Sequence, residues 1–290
     1  MPSERADLRN PAEAWPVKHF VITRFNLRSD DAASQRMIDP GYLGQRLDLF
    51  ERFCLPTLRG QTRQDFKWLV LFAEDTPEAV KARVARYAAE WPNLVPVYLP
   101  AGLEHVGRLV VAPYLDKSPQ TLITTRIDND DGLCRTYIEE VRRLEQAKDR
   151  TVAHFPFGYV WHRDRIYLDR QDHNAFTTLI EPLPQGVDSP FVTIYKGSHS
   201  DIAQLGRVVD LGQEPAWLQV IHGTNLENFV RGRRIRIGEL AARFDVPVSA
   251  SARGESSLEI GVDRVVTFAK SMTTRLMRSV KFRLERARTD

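Results

Sequence analysis

The sequence predicts an α/β fold: a mostly parallel central sheet flanked by helices, with a more irregular half built onto the same body. Three observations lead there. Short apolar, β-branched runs alternate with helical patterns through the first half. Their order (strand, helix, strand, helix, strand) favours parallel neighbours joined by crossover helices. After about residue 150 this rhythm gives way to short aromatic-rich segments separated by Pro/Gly-rich loops.

Residues 1–18 are polar, Pro-containing and aperiodic, which predicts a flexible arm. HFVITRFNL, residues 19–27, is the first buried strand. Leu47, Phe50, Leu55 and Leu58 give residues 43–58 helical spacing, with Pro56 disturbing its end. FKWLVLF, 66–72, is a second strand. Pro77 suits a first helical position before the Ala/Arg-rich helix 78–91. Residues 94–99 and 121–127 read as further strands, with helices at 107–115 and 133–148. Residues 154–168 read as a hairpin turning near His162-Arg163-Asp164-Arg165, and 176–180, 191–195 and 217–222 as short segments. The expected organisation is one body of two halves, 19–132 and 133–262, and a separate tail at 263–290.

Composition narrows the function classes. The chain is 42% hydrophobic and 27% charged over 290 residues, enough to bury a sizeable core. No run of about 18 apolar residues occurs, and MPSERADLRN lacks an apolar signal core, so neither a membrane span nor a Sec-type leader is expected. Cys54 and Cys134 have no CxxC or Cys/His spacing, which argues against a disulfide scaffold and a structural zinc, and for a reducing, cytoplasmic setting. No basic stripe interleaved with aromatics points to nucleic acid.

The most informative stretch is TTRIDNDDG, residues 124–132. In extended backbone, Asp128 and Asp130 face the same side at the end of an apolar strand. Two hard anionic oxygens there suit Mg2+ or Mn2+, at the sheet edge where open α/β folds form ligand clefts. The same residues also suit a plain acidic turn, with Asp131 capping the next helix.

Together with HFVITRFNL, FCLPTLRGQTRQDFKWLVLFAEDTP and PAWLQVIHGTN, this stretch resembles glycosyltransferases of the GT-A class, and within it the rhamnosyl transferase family. The resemblance implies a Rossmann-like sheet, a nucleotide-sugar donor and a divalent metal, Mn2+ or Mg2+, held by the DxD against the diphosphate. Asp128 and Asp130 match the metal motif. Thr23 and Arg24 match the first-strand end bordering the nucleotide, and Asp75 the end of the second strand near the base. A glycan or glycolipid acceptor, in polysaccharide or glycolipid assembly, would follow.

From chemistry, Arg24 and Arg126 leave neighbouring strand ends and can offer fixed positive charge to phosphate oxygens, or Arg126 can pair with one of its own aspartates. An inverting transfer needs a carboxylate base. Glu214, in a loop before Trp217, is the first candidate and Glu181 the second; each also fits a plain solvated loop carboxylate. His222, after the apolar run 217–221, can be a third metal ligand or a backbone-bonded histidine. Phe157, Tyr159 and Trp161 can form an acceptor platform or simply core.

Residues 263–290 carry eight basic and three acidic residues around an apolar repeat. A basic amphipathic helix of this kind either docks on the body or lies on an anionic membrane surface through residues 264–290, at the inner face of the membrane. Two other readings are open: phosphoryl transfer of the haloacid-dehalogenase type with Asp128 as nucleophile and Asp130 as acid/base, and a non-catalytic membrane or nucleic-acid binder acting through the tail.

Overall fold

A computed structural model describes residues 6–28, 32–103, 106–196, 199–223, 230–248 and 260–261. The expected tail at 263–290 and the helix proposed within it lie outside these residues.

The first half alternates as its patterning predicts. Strands β1 (Val17–Arg24), β2 (Lys67–Ala73), β3 (Leu94–Leu99) and β4 (Gln120–Arg126) are separated by helices α1 (Pro40–Leu49), α2 (Leu55–Arg59), α3 (Glu78–Glu90) and α4 (Val106–Val111). Asp39 caps α1, its carboxylate accepting from the Tyr42 amide at 2.8 Å. The single helix expected at 43–58 is divided by a π turn at Phe50–Cys54, where Leu55 N–H bonds to Phe50 O. Pro56 explains the division: it has no amide to give to the preceding turn, and the wider turn takes up the extra residue.

Beyond β4 come β5 (Gly132–Leu133), α5 (Tyr137–Arg142), β6 (Thr151–His154), β7 (Phe157–His162), β8 (Arg165–Arg170), β9 (Thr178–Leu183), β10 (Arg207–Asp210), β11 (Trp217–Ile221), β12 (Arg233–Ile235) and α6 (Gly238–Arg243). The expected hairpin is β7–β8, with Arg163 and Asp164 both at positive φ, as a tight two-residue turn demands. Helix α5 is much shorter than the expected 133–148: at its start Leu133 is taken into a sheet, and beyond Arg142 the chain continues in turns. Residues 191–195 are not a strand: Ile194–Lys196 form a 3-10 turn.

Two sheets result. The larger runs β10-β6-β9-β4-β1-β2-β3, with β3, β2, β1 and β4 mutually parallel and β9 antiparallel between β4 and β6. The smaller runs β12-β8-β7-β11-β5. Strand β9 of the second half pairs with β4 of the first, so the two halves share one sheet and one core. Residues 6–16, expected to be a loose arm, are tied to the stretch after α5: Arg9 N–H donates to Gln146 O (2.7 Å) and Lys148 N–H to Asp7 O (2.9 Å).

Trp217 joins the layers. Its ring stacks on Phe176 at 5.0 Å, its indole N–H donates to Phe155 O, and it lies across β7 from Gly158. A Cβ on Gly158 would come within 2.0 Å of that ring. Gly158→Ala is therefore expected to cost about 1–3 kcal/mol through overpacking, read by urea denaturation.

His19 on β1 is 3% exposed, with Nε2 2.9 Å from Thr125 Oγ1. Burial, aided by the charge of Arg142, lowers its pKa to about 3. Between pH 6.5 and 3 the unfolded chain therefore takes a proton that the folded chain refuses, so stability falls as pH falls through this window. The loss in denaturation midpoint between pH 7 and pH 5 is expected to be smaller in His19→Gln than in the unaltered protein.

Candidate active site

Strands β1 and β4 lie side by side, with Ile22 level with Arg126. From β1 the chain steps outward through β2 to β3 and then returns to β4 on the other flank, so strand order reverses between β1 and β4. At such a reversal the connections on either side lead away from each other, and ligands bind in the crevice left at the carboxyl ends of the strands. Arg24 ends β1 and Arg126 ends β4. The acidic loop 128–131 follows directly.

That loop is not extended. The Asp131 amide bonds back to Asp128 O at 3.3 Å, and the turn sends the two DxD carboxylates to different surroundings. Asp128 remains partly exposed, 3.4 Å from Arg126 Nη2, the ion pair with its own aspartate that the sequence allowed. Asp130 points inward. Its Oδ2 lies 3.0 Å from Arg46 Nη1 on α1 and 2.8 Å from His222 Nε2, just after β11. Burial raises the Asp130 carboxyl pKa, but the hydrogen bond from His222 and the charge of Arg46 outweigh it, and the group stays ionised below its ordinary range. Asp131 does the opposite: burial, and then the charges of Asp130 and Asp128, push it well up. It caps no helix; instead it accepts from the Val220 amide at 2.9 Å, fastening the loop to β11.

Asn129, which the sequence did not single out, is the other fastener. Its amide donates to Phe25 O at 2.9 Å, and its Oδ1 accepts from Arg46. Arg46 was missed as well, being 84 residues from Asp130. The one local signal was an arginine next to Leu47, one of the two buried leucines of α1.

Several expected roles are not met. The Thr23 hydroxyl is fully buried and accepts from the Trp68 indole at 2.9 Å, so its side chain belongs to the core. Glu181 lies inside the larger sheet, 1% exposed, accepting from the amides of Val192 and Thr193 and pairing with Arg150 at 3.1 Å. Its carboxylate fixes a turn. Glu214 precedes β11, is exposed and pairs with Arg243, whereas His222 follows the same strand. Five strand residues at roughly 3.3 Å each separate the two ends, which takes Glu214 away from the acidic loop. Tyr159 and Trp161 are core, not an acceptor platform. Asp75, beyond β2, pairs with Arg28 at the same edge as Arg24.

Among the described residues no three His, Cys, Asp or Glu side chains converge on one point. The donors still fit a hard divalent cation. Such ions are commonly held by one or two carboxylates, with substrate phosphates and water completing the shell. Asp128 has an accessible carboxylate and Asp130 an ionised one, with the His222 imidazole beside it.

An open, mostly parallel sheet with arginines and carboxylates gathered at its strand-order reversal is the frame on which α/β proteins build a ligand crevice. The chain belongs to the glycosyltransferase family described as "Putative rhamnosyl transferase", whose model matches residues 19–234. No curated protein matches it. Among solved structures it is similar to TarS 1–349 of S. aureus, with 11% identity and a TM-score of 0.43 over 70% of this chain and 60% of that one. It is likewise similar to mannosyltransferase PcManGT from Pyrobaculum calidifontis, solved in complex with GDP-Man and Mn2+, with 12% identity and a TM-score of 0.38 over 79% of this chain and 61% of that one. The chain thus spans about three fifths of the length of these proteins.

Arg46→Ala leaves the Asp130 charge buried without its cation, so a loss on the order of 3 kcal/mol is expected in chemical denaturation. Arg46→Ala with Asp130→Ala is expected to cost less than the sum of the single changes, the mark of a coupled pair.

Proposed function

We propose that the chain transfers a sugar, rhamnose as the family suggests, from a nucleoside-diphosphate donor to a hydroxyl of a glycan or glycolipid acceptor, with a divalent cation at Asp128 and Asp130. One observation carries this reading: Arg24, Arg126 and the Asp128–Asp130 loop meet at the carboxyl edge between β1 and β4. Family membership supports the reaction class.

Departure of the diphosphate builds negative charge on its oxygens, and stabilising that charge where it develops is the main catalytic task. A bound Mg2+ or Mn2+ would supply Lewis-acid neutralisation there. Arg24 and Arg126 add fixed cations on the same edge. Arg46 and His222 hold Asp130 ionised, and Asn129 and Asp131 fix the loop that carries it. Asp75 and Arg28, beyond β2 and β1, border the place where a base would lie. Neither Glu181 nor Glu214 faces this edge, so the acceptor proton is assigned to neither. The phosphoryl-transfer reading needs a protonated Asp130, and its environment favours the anion.

The test is donor hydrolysis and transfer across a panel of nucleotide sugars, with Mn2+, Mg2+ or chelator. Turnover with at least one donor, lost in Asp128→Ala with Asp130→Ala and reduced by chelation, is expected. Undiminished turnover in the double variant would sink the assignment.

A further inference from the structure

Tyr195 belongs to a stretch that the sequence marks only as a short apolar segment, yet the fold holds it from several sides. Its hydroxyl donates to Ile22 O of β1 at 3.0 Å. The neighbouring Ile194 amide donates to Thr124 Oγ1 of β4 at 2.9 Å. The Val192 and Thr193 amides both donate to the buried Glu181 carboxylate of β9. Thr193 itself is fully buried at φ 63°, a left-handed conformation costly for a β-branched residue. A Cβ on Gly107, at the start of α4, would come within 2.3 Å of the Thr193 hydroxyl, so the helix is cut away to admit the turn.

All this order places one ring between two cations. The Arg24 guanidinium carbon lies 4.9 Å from the Tyr195 ring centroid and that of Arg126 lies 5.6 Å from it. These arginines end the two strands that flank the crevice. Few side-chain partners fix the two guanidinium groups. Among the described residues Arg24 has no carboxylate partner, while Arg126 has only the 3.4 Å contact with Asp128. The Arg126 Nε is buried with no hydrogen-bond partner. An aromatic face attracts a guanidinium through its quadrupole and restricts where the fork can point. Burial pushes the phenol up to about 12, so the ring brings no charge of its own at neutral pH.

We propose that Tyr195 is a positioning residue whose ring holds Arg24 and Arg126 as a two-armed receptor for a diphosphate at the β1/β4 crevice. The proposal rests on the transferase reading for its ligand and gives Glu181 its place, as the buried clamp of the Tyr195 turn.

The test measures binding of inorganic pyrophosphate, and of a panel of nucleoside diphosphates, to the full chain by calorimetry, with and without Mn2+. Relative to the unaltered protein, Tyr195→Leu is expected to weaken pyrophosphate binding roughly tenfold and Tyr195→Phe by no more than about twofold, since Phe keeps the ring. Arg24→Lys keeps the charge but loses the stacking plane, and is expected to weaken binding nearly as much as Arg24→Gln. This exposed position keeps the question answerable if Tyr195→Leu does not fold.

Tyr195→Leu that is folded and binds like the unaltered protein would overturn the proposal, as would unchanged binding in Arg24→Lys. A loss in Tyr195→Phe equal to that in Tyr195→Leu would also overturn it, by placing the effect in the hydroxyl anchor and not the ring. Tight binding that survives both Arg24→Gln and Arg126→Gln would overturn the receptor while leaving the transferase reading intact. No binding of any diphosphate to the unaltered protein would instead remove the transferase reading itself.

Discussion

The carboxyl edge of the larger sheet depends on the parallel pairing of β1 with β4. Register along this pair, from Val17 against Thr121 to Ile22 against Arg126, brings two arginines that are about a hundred residues apart to neighbouring strand ends. With β2 and β3 to one side and β9 and β6 to the other, strand order reverses between β1 and β4 and leaves a crevice at their carboxyl ends. The acidic loop, the Tyr195 turn and His222 are then attached around that gap by short polar links to β1, β4 and β11.

Charge at this edge is arranged in unequal pairs. Asp130 is satisfied from two sides by Arg46 and His222, and Asp75 by Arg28. Asp128 and Arg126 meet only loosely, and Arg24 leans on an aromatic face. For a substrate anion, a cation with a committed carboxylate partner, such as Arg46 or Arg28, is a poor ligand, since the anion would have to displace that interaction. Groups with weak ones can exchange them at little cost. The unequal pairing therefore separates the part of the edge that holds the architecture from the part open to an anion.

How much of this was legible in the sequence follows from distance along the chain. The parallel strands were readable because continuous apolar β-branched runs mark strands buried on both faces. The acidic loop was readable as the end of the fourth apolar run, where β4 ends at Arg126. The orientation of its carboxylates was not readable, because extended geometry was assumed where Asp131 turns the chain back onto Asp128. Arg46 and Tyr195 escaped notice for a different reason. Their partners Asp130 and Ile22 lie 84 and 173 residues away, and no local pattern distinguishes an arginine that ends in solvent from one that reaches a buried aspartate. Glu181 and Glu214 show the converse: a carboxylate in the expected half of the chain is no guide to which end of a strand it occupies.

The strand-order reversal also bears on how the molecule is assembled. One flank of β1 is covered by β2, some fifty residues downstream, while the other waits for β4, about a hundred residues downstream. Contacts between distant segments form late because closing longer loops costs more chain entropy. The β1–β2 half can therefore consolidate first. The crevice, which exists only once β4 has paired and the turn from β9 has closed over it, is a late product of folding. Damage to the packing of β2, α3 or β3 would thus reach the site through the order of assembly, without touching a residue in it.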